Sequence, residues 1–324
     1  MSNRLLLLRD KYKPLVDLTF LGSLPNAATF TRASTATYFD SAGVLQTAAI
    51  NTPRFDYDPA AHVIKGLLIE NTSRTNVFLN SGSPATQSIA VTAQAYTLSF
   101  YGTGSITRSG TSSGTTTGTG ALVRTTVTFT PTAGTLTLTL SGSITYPQLE
   151  AGSFATSYIP AGATAVTRAA ESLVATNIPW FNFSQGAIAV DFRIDYIPPA
   201  SVWPAFAAMS DGTTNERVRL AANNGGTMNV VVISGGAQKL NIGSDVITYG
   251  ANTKYAMRYK ASYVAVCANG GTPSGGTPTG WPTGMNQYHF CGFTNASSDF
   301  NGYLRRFRYW NYELPNAILQ KVTQ

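Results

Sequence analysis

Charge is what this sequence has least of. Only 11% of its 324 residues are Asp, Glu, Lys or Arg, against roughly 25% in ordinary soluble domains. Thr, Ser, Asn and Gly must therefore carry its solubility, a pattern usual for secreted or particle-bound β proteins. Histidine is nearly absent: with only His62 and His289, a histidine-dependent catalytic triad has few bases to choose from. No Gly-x-Ser-x-Gly nucleophile elbow occurs either. Cysteine is limited to Cys267 and Cys291, and neither neighbourhood has the spacing of a metal ligand set. Long apolar runs are missing as well. The leucines at residues 5–8, with Arg4 before them and Arg9 and Asp10 after, fall short of the roughly seven to fifteen apolar residues of a signal core. Nothing approaches the roughly eighteen of a membrane helix, so membrane insertion is not expected. No fixed repeat period marks a β-helix.

What is present is hydrophobic residue content of 43%, enough for two domains that each bury a core. The formal net charge is +7, but the basic residues are scattered and only Arg305-Arg306-Phe307-Arg308 clusters, so nucleic acid is not the expected partner. An anionic polysaccharide fits the same charge.

From residue 87 onward the pattern has a clear period of two. Leu98 and Phe100 alternate with Thr97, Ser99 and Tyr101. Val123, Val127 and Phe129 fall on the face opposite Arg124, Thr126 and Thr128, and Leu136, Leu138 and Leu140 alternate with threonines. This describes half-buried antiparallel strands with threonine on the wet face. Residues 102–120 read as a Gly/Ser/Thr-rich connection with a short strand at Ile106 and Arg108, and Tyr158-Ile159-Pro160 reads as the last strand of a first domain. After residue 168 a second domain opens with Trp180. Its strongest strand sets Ile188, Val190, Phe192 and Ile194 against Ala189, Asp191, Arg193 and Asp195, and further strands are expected at 203–209, 216–222, 227–233, 253–260, 262–268 and 287–293. Pro315 suits a first helical turn, and Leu314, Ile318 and Val322 recur at four-residue spacing, which predicts the one helix of the chain. The fold class expected is all-β: two antiparallel β-sandwich (jelly-roll) domains in tandem, with an extended N-terminal arm and one short C-terminal helix. The arm, residues 1–29, turns at Gly22-Ser23 and Pro25-Asn26. It either closes the edge of the protein's own sheet or docks on a partner.

Residues 30–78 gather Arg32, Arg54 and Arg74 among aromatic residues, with Asp56, Asp58 and Glu70 nearby. A planar guanidinium holds carboxylates or backbone carbonyls from two directions. Arg54 with Asp56 and Asp58, and Arg74 with Glu70, would knit an irregular extended segment onto a sheet without any chemistry.

This stretch also carries a resemblance. RASTATYFDSAGVLQTAAINTPRFDYDP, then GLLIENTSRTN, and later PQLEAGSFATSYIPAGATAVTRAA at residues 147–170 resemble a module recurrent in virion proteins of tailed bacteriophages. The resemblance implies a carbohydrate-binding-module-like jelly roll at residues 30–167 and a lectin-like sandwich after it. NGYLRRFRYWNYELPNAILQKVT resembles the closing strand and short helix of laminin-G-like or concanavalin-like sandwiches, placed here at residues 168–324. It also implies localisation to a virion made and assembled in the host bacterial cytoplasm. There a disulfide between Cys267 and Cys291 is disfavoured, and two buried free thiols are expected.

Three kinds of site remain to be weighed. A paired-carboxylate hydrolase would draw two of Asp191, Asp195, Asp211 and Glu216 into one groove, yet a solvated carboxylate on a strand's polar face is the default. Calcium, the weak metal candidate, would be held by Asp211, Asn215 and Glu216, which lack the regular acidic spacing of a calcium loop; a plain Asp-Gly turn is the alternative. Otherwise no cofactor is expected. Sugar rings would stack on Trp281, Trp203, Trp310 or Tyr288, with Tyr312 a further aromatic, although aromatics in a sandwich more often fill the core. Trp281 stands apart because its loop, TPTGWPTGM, offers no strand face to pack on. The reading is a non-enzymatic virion structural protein on the head, collar or tail. Its partners would be other virion proteins, further copies of itself with a trimer among the states considered, and host surface polysaccharide. The alternatives are a tail-associated receptor-binding protein or depolymerase, and a scaffold that binds nothing.

Overall fold

A computed structural model describes residues 11–24, 28–176, 178–293 and 300–324; the leucine run at 5–8 and the Pro25-Asn26 turn lie outside them. The described residues form two units. One comprises Met1–Phe30, Gly66–Asn71 and Ser172–Gln324, the other Thr31–Lys65 and Thr72–Glu171. Short segments from early in the chain thus belong with its C-terminal half.

The larger unit is a sandwich of two antiparallel sheets. In the first, the strands run in the order Ser274–Gly276, Tyr263–Ala268, Asn252–Lys260, Gln185–Ile194 and Asn301–Trp310. Two short strands share the far edge of Asn301–Trp310. Val16–Thr19 pairs along Tyr309 to Arg306, and Ile64–Glu70 pairs through Leu67 to Glu70 along Leu304 to Asn301. The arm therefore closes an edge of the C-terminal unit's sheet. Asp17 reinforces it by accepting from Arg306 Nε at 2.8 Å.

The second sheet runs from Glu171–Ala175 through Gln287–Cys291, Ala205–Ser210, Arg217–Ala222 and Thr227–Ser234 to Ala237–Val246. Alternation dictates the core between the sheets. Ile188, Val190, Phe192 and Ile194 point inward and are buried, with Phe192 stacked on Phe206 at 4.2 Å and Phe307 packed on both Tyr288 and Phe290. On the outer face of the first sheet, Ala187, Ala189, Ala256 and Ala265 form a floor of small side chains. Leu314, Ile318 and Leu319 of the helical segment Asn316–Val322 and its approach cover it. Large residues at those positions would leave no room for the helix. Cys267 lies in this cluster while Cys291 belongs to the other sheet; both are buried free thiols.

The smaller unit is a second sandwich. Its four-stranded sheet is ordered Gly114–Thr117, Ser105–Gly110, Gly134–Ser141 and Gln87–Val91, and its three-stranded sheet Gly120–Phe129, Tyr96–Gly102 and Ile144–Ala151. Ile89, Ile106, Leu136 and Leu138 meet Leu98, Phe100, Ile144 and Leu149 in one buried cluster. Three local expectations are corrected. The 102–120 connection holds two paired strands. Val123 is 48% exposed, because the register with Tyr96–Gly102 shifts between Gly120 and Arg124. Tyr158-Ile159-Pro160 is not a strand: Tyr158 and Ile159 are buried and Pro160 is exposed, and side chains hold the segment, with Thr37 Oγ1 donating to Tyr158 O, Asn76 Nδ2 to Ile159 O at 2.8 Å, and Ile159 N donating to Gln148 Oε1 at 2.6 Å.

The arginines of this unit act as expected in kind but with another partner. Glu171 Oε1 lies 2.8 Å from both Arg32 Nη1 and Arg54 Nη2, fully buried. Arg32 also donates to the carbonyls of Ser34 (2.8 Å), Ala49 (2.6 Å) and Thr52 (3.1 Å), and Arg54 to Thr37 O at 2.8 Å and Ser157 Oγ at 2.7 Å. Arg168 donates to Thr72 O at 2.7 Å. Asp56 accepts from Phe39 N at 2.8 Å and sits 3.7 Å from Lys65, while Asp58 caps the turn at Ala60 and Ala61. Arg74 lays its guanidinium over the Phe154 ring at 4.8 Å rather than on a carboxylate. Glu70 is buried in the larger unit, its strand paired at Asn301. Besides the short pairings of Ala36–Phe39 with Leu45–Ala48 and of Arg74–Asn76 with Val166–Arg168, arginine side chains satisfy carbonyls of this segment.

Candidate functional site

At one end of the larger sandwich three connections converge: residues 211–216, 234–236 and 276–287. Asp211-Gly212 makes a tight turn in which Asp211 Oδ1 accepts from Thr213 N at 2.7 Å and Thr213 Oγ1 at 2.8 Å, and Gly212 takes φ +93°, a conformation that favours glycine. Glu216 then ties the three connections together. Its carboxylate accepts from Gly235 N and, at 2.9 Å, from Thr283 N, and these amides, Gly235's first, hold its pKa below the ordinary range. Gly236 N donates to Asn215 O at 3.1 Å, and Asn286 N to Ser210 O at 2.9 Å.

Trp281 sits in this rim, half-buried. Its Nε1 donates to Phe183 O at 3.2 Å, and its carbonyl accepts from Ser234 Oγ at 3.2 Å. The expectation that it has no strand face to pack on is corrected: its ring lies parallel to that of Tyr259, 6.2 Å away at 5°, and Tyr259 belongs to Asn252–Lys260. Tyr259 in turn lies near-parallel to the buried Phe181, which stacks on Tyr309 at 4.4 Å. The result is an indole fixed in orientation on a rigid aromatic base and partly open to solvent.

The other aromatics are dispersed. Tyr288 and Trp310 are each 1% exposed, so neither has a free face for a sugar. Tyr288 is enclosed by Phe181, Phe290 and Phe307, and Trp310 lies under the helix with Nε1 donating to Tyr12 O at 2.8 Å. Half-buried Trp203 precedes the far end of Ala205–Ser210, whose Ser210 end meets the rim; at about 3.3 Å per residue it stands about 20 Å from that rim. Tyr312 donates to Lys11 O at 3.2 Å. Of the four residues weighed for stacking, only Trp281 joins the rim. It does so with Asp211, Asn215 and Glu216, the set considered for calcium. Among the described residues, no group of three His, Cys, Asp or Glu side chains stands together as a metal cage.

The carboxylates weighed for hydrolysis are each engaged structurally: Asp191 with Arg308 at 3.1 Å, Asp195 with Arg193, and Asp211 and Glu216 with turn amides. His289 is buried, its Nε2 3.2 Å from Ser210 Oγ, and desolvation pushes its pKa down to about 4. Ser210 is fully buried and also receives Gly212 N at 3.1 Å, so this pair braces the turn. His62 lies on an exposed turn, Nδ1 3.1 Å from Ser41 O.

No family model matches the chain, and no curated protein matches it in sequence. Solved structures do resemble it. The IT-sialidase CBM40 of Ruminococcus gnavus, also solved with α2,3 sialyllactose bound, aligns over 44% of this chain and 84% of its own at 15% identity and TM-score 0.38. Leech intramolecular trans-sialidase aligns over 44% of this chain and 23% of its own, at 14% identity and TM-score 0.38. A SAP-like pentraxin of Limulus polyphemus aligns over 44% and 70%, at 12% identity and TM-score 0.33. Overall similarity this low says nothing about what the present chain binds. The sandwich architecture rests on its own sheets.

Proposed function

We propose that this protein is a non-enzymatic structural component of a tailed-bacteriophage virion and that it adheres to host surface glycan through the loop rim of its larger sandwich. The observation that carries the adhesive half is Trp281: an oriented, half-open indole, locked by Phe183, Ser234 and Tyr259, among short polar side chains. Such a surface stacks on the apolar face of a pyranose, and Asp211, Thr213 and Asn215 on the 211–216 connection supply polar groups of the same rim. The virion half is supported by the resemblance of residues 32–59, 66–76 and 147–170 to the phage module. Commitment of Asp191, Asp195, Asp211 and Glu216 to structural bonds favours binding over cleavage. Head, collar and tail positions all agree with this reading, as does assembly with other virion proteins or as a homo-oligomer.

Titration of polysaccharide from the phage's host, read by tryptophan emission and by release of reducing ends, tests it. Wild-type protein is expected to change emission on binding, Trp281→Ala to lose at least 10-fold in affinity, and neither to release reducing ends. New reducing ends would replace adhesion with depolymerisation. Equal affinity of the two proteins would move the site away from the rim.

A further inference from the structure

The smaller sandwich places a cation where its own alternation calls for an apolar residue. In Ser105–Gly110 the buried positions are Ile106 and Arg108, and the register sets Arg108 beside the buried Leu138, so its side chain shares the core face. Only 9% of it is exposed. Its guanidinium reaches the opposite sheet, where Cζ lies over the ring of Phe129, 4.2 Å from the ring centre. Its neighbour on the other side is Gly114, at φ +136°, where an added Cβ would come within 2.7 Å of Arg108 Nη2. Glycine there leaves that flank of the fork uncovered.

A charge inside a core is costly unless it is paired. Arg32 and Arg54 of the same unit meet Glu171. Arg108 has no such answer: among the described residues its Nε has no hydrogen-bond partner, and burial lowers its pKa with no carboxylate to offset it. The face of Phe129 replaces only part of the lost hydration. The core is also open on this side. Gly114–Thr117 and Gly120–Phe129 are edge strands of the two sheets, joined by residues 118–119. Thr125, Val127 and Phe129 stand opposite Phe100, Leu98 and Tyr96 and so face the core, yet all three are only half-buried. On the same strand Leu122 is 44% and Val123 48% exposed, and no described strand pairs with its outer side.

We infer that the edge strand Gly120–Phe129 docks an extended segment of a partner chain, and that an Asp or Glu of that segment pairs with the guanidinium of Arg108. The fork donates two N–H bonds to one carboxylate, and the partner's apolar residues cover the half-open core positions. A ten-residue edge with an uncovered apolar row suits a peptide. A sugar ring suits it less, because Phe129 already has a face under the guanidinium and packs on the core. This site belongs to the other unit from the Trp281 rim and needs no glycan there.

Two measurements on the full chain test it. The first is thermal melting of the free protein. Arg108→Met removes an unpaired buried charge and is expected to raise the melting temperature of the smaller unit by at least about 4 °C. A lower melting temperature would make Arg108 a structural partner of Phe129 and overturn the inference. The second is selection of a random octapeptide library on wild type, with the enriched peptides then synthesised and titrated. Wild type is expected to enrich peptides with one Asp or Glu between apolar residues at alternate positions. Arg108→Met should bind them at least 10-fold more weakly, Arg108→Lys, with charge but no fork, should fall between, and replacing the peptide's acid by its amide should cost wild type the same 10-fold. Enrichment of neutral peptides, no enrichment at all, or equal binding by Arg108→Met would each overturn the inference. Displacement of the peptide by glucuronate but not by glucose or acetate would assign the site to an acidic sugar and also overturn it.

Discussion

Glu171 answers two guanidiniums with one carboxylate, and it does so with no exposure to water. Removing one member of such a cluster leaves the others charged and buried, at a cost of about 3–5 kcal/mol. Glu171→Gln is therefore expected to lower the urea midpoint of the smaller unit by an amount equivalent to that range; a change below about 1 kcal/mol would mean the arginine–carbonyl bonds alone hold the segment. The three arginines were legible from sequence because charge is scarce, whereas Glu171 lies 139 residues from Arg32 and no spacing rule links them. His289 supplies a pH prediction. Its folded pKa of about 4 lies below the 6.5 of an ordinary histidine, so between those values the unfolded chain binds the extra proton. Stability from neutral His289 is thus present above pH 6.5 and is lost as pH falls towards 4, by up to about 3 kcal/mol. Melting curves of wild type and His289→Gln from pH 4 to 8 should converge at the acid end; parallel curves would contradict the burial of a neutral imidazole.

Among elements, the C-terminal helix has the narrowest requirements. Seven residues are too few to be stable alone, so Asn316–Val322 depends on the alanine floor beneath it. Leu319→Ala is expected to cost about 2–5 kcal/mol through the cavity it leaves, and Ala256→Leu about 1–3 kcal/mol by overpacking. Near-neutral melting temperatures for both would show that the helix is not docked there. Period-two alternation made most strands readable, and the strongest, Gln185–Ile194, most of all. Ala237–Val246 escaped because Gln238 and Ser244 interrupt the face that carries Leu240, Ile242 and Val246, which leaves the alternation too weak to announce an edge strand. Tyr158-Ile159-Pro160 misled for the converse reason: the buried Tyr158 and Ile159 look like part of a strand, and only Asn76 and Gln148 reveal that side chains have replaced the ladder.

For the molecule as a whole, two sandwiches and a helix follow from composition and periodicity, but the division between units does not. Gly66–Asn71 joins the C-terminal unit because Leu67 to Glu70 pair with a strand more than 200 residues later, a closure invisible to local pattern. The rim is similarly a meeting of three turns: Trp281 was recognisable by its Pro/Gly loop, whereas Phe183, Tyr259 and Ser234 had no signal of their own. Low charge fits a surface that assembles without strong repulsion between copies, and the remaining +7 fits an acidic polymer outside. The most direct test of a virion adhesin is immunogold electron microscopy of purified phage particles, using antibody against the loop at residues 276–287, with and without host polysaccharide. The account predicts gold on the particle exterior that polysaccharide displaces. Particles that contain the chain yet stay unlabelled, or labelling that polysaccharide leaves unchanged, would contradict it.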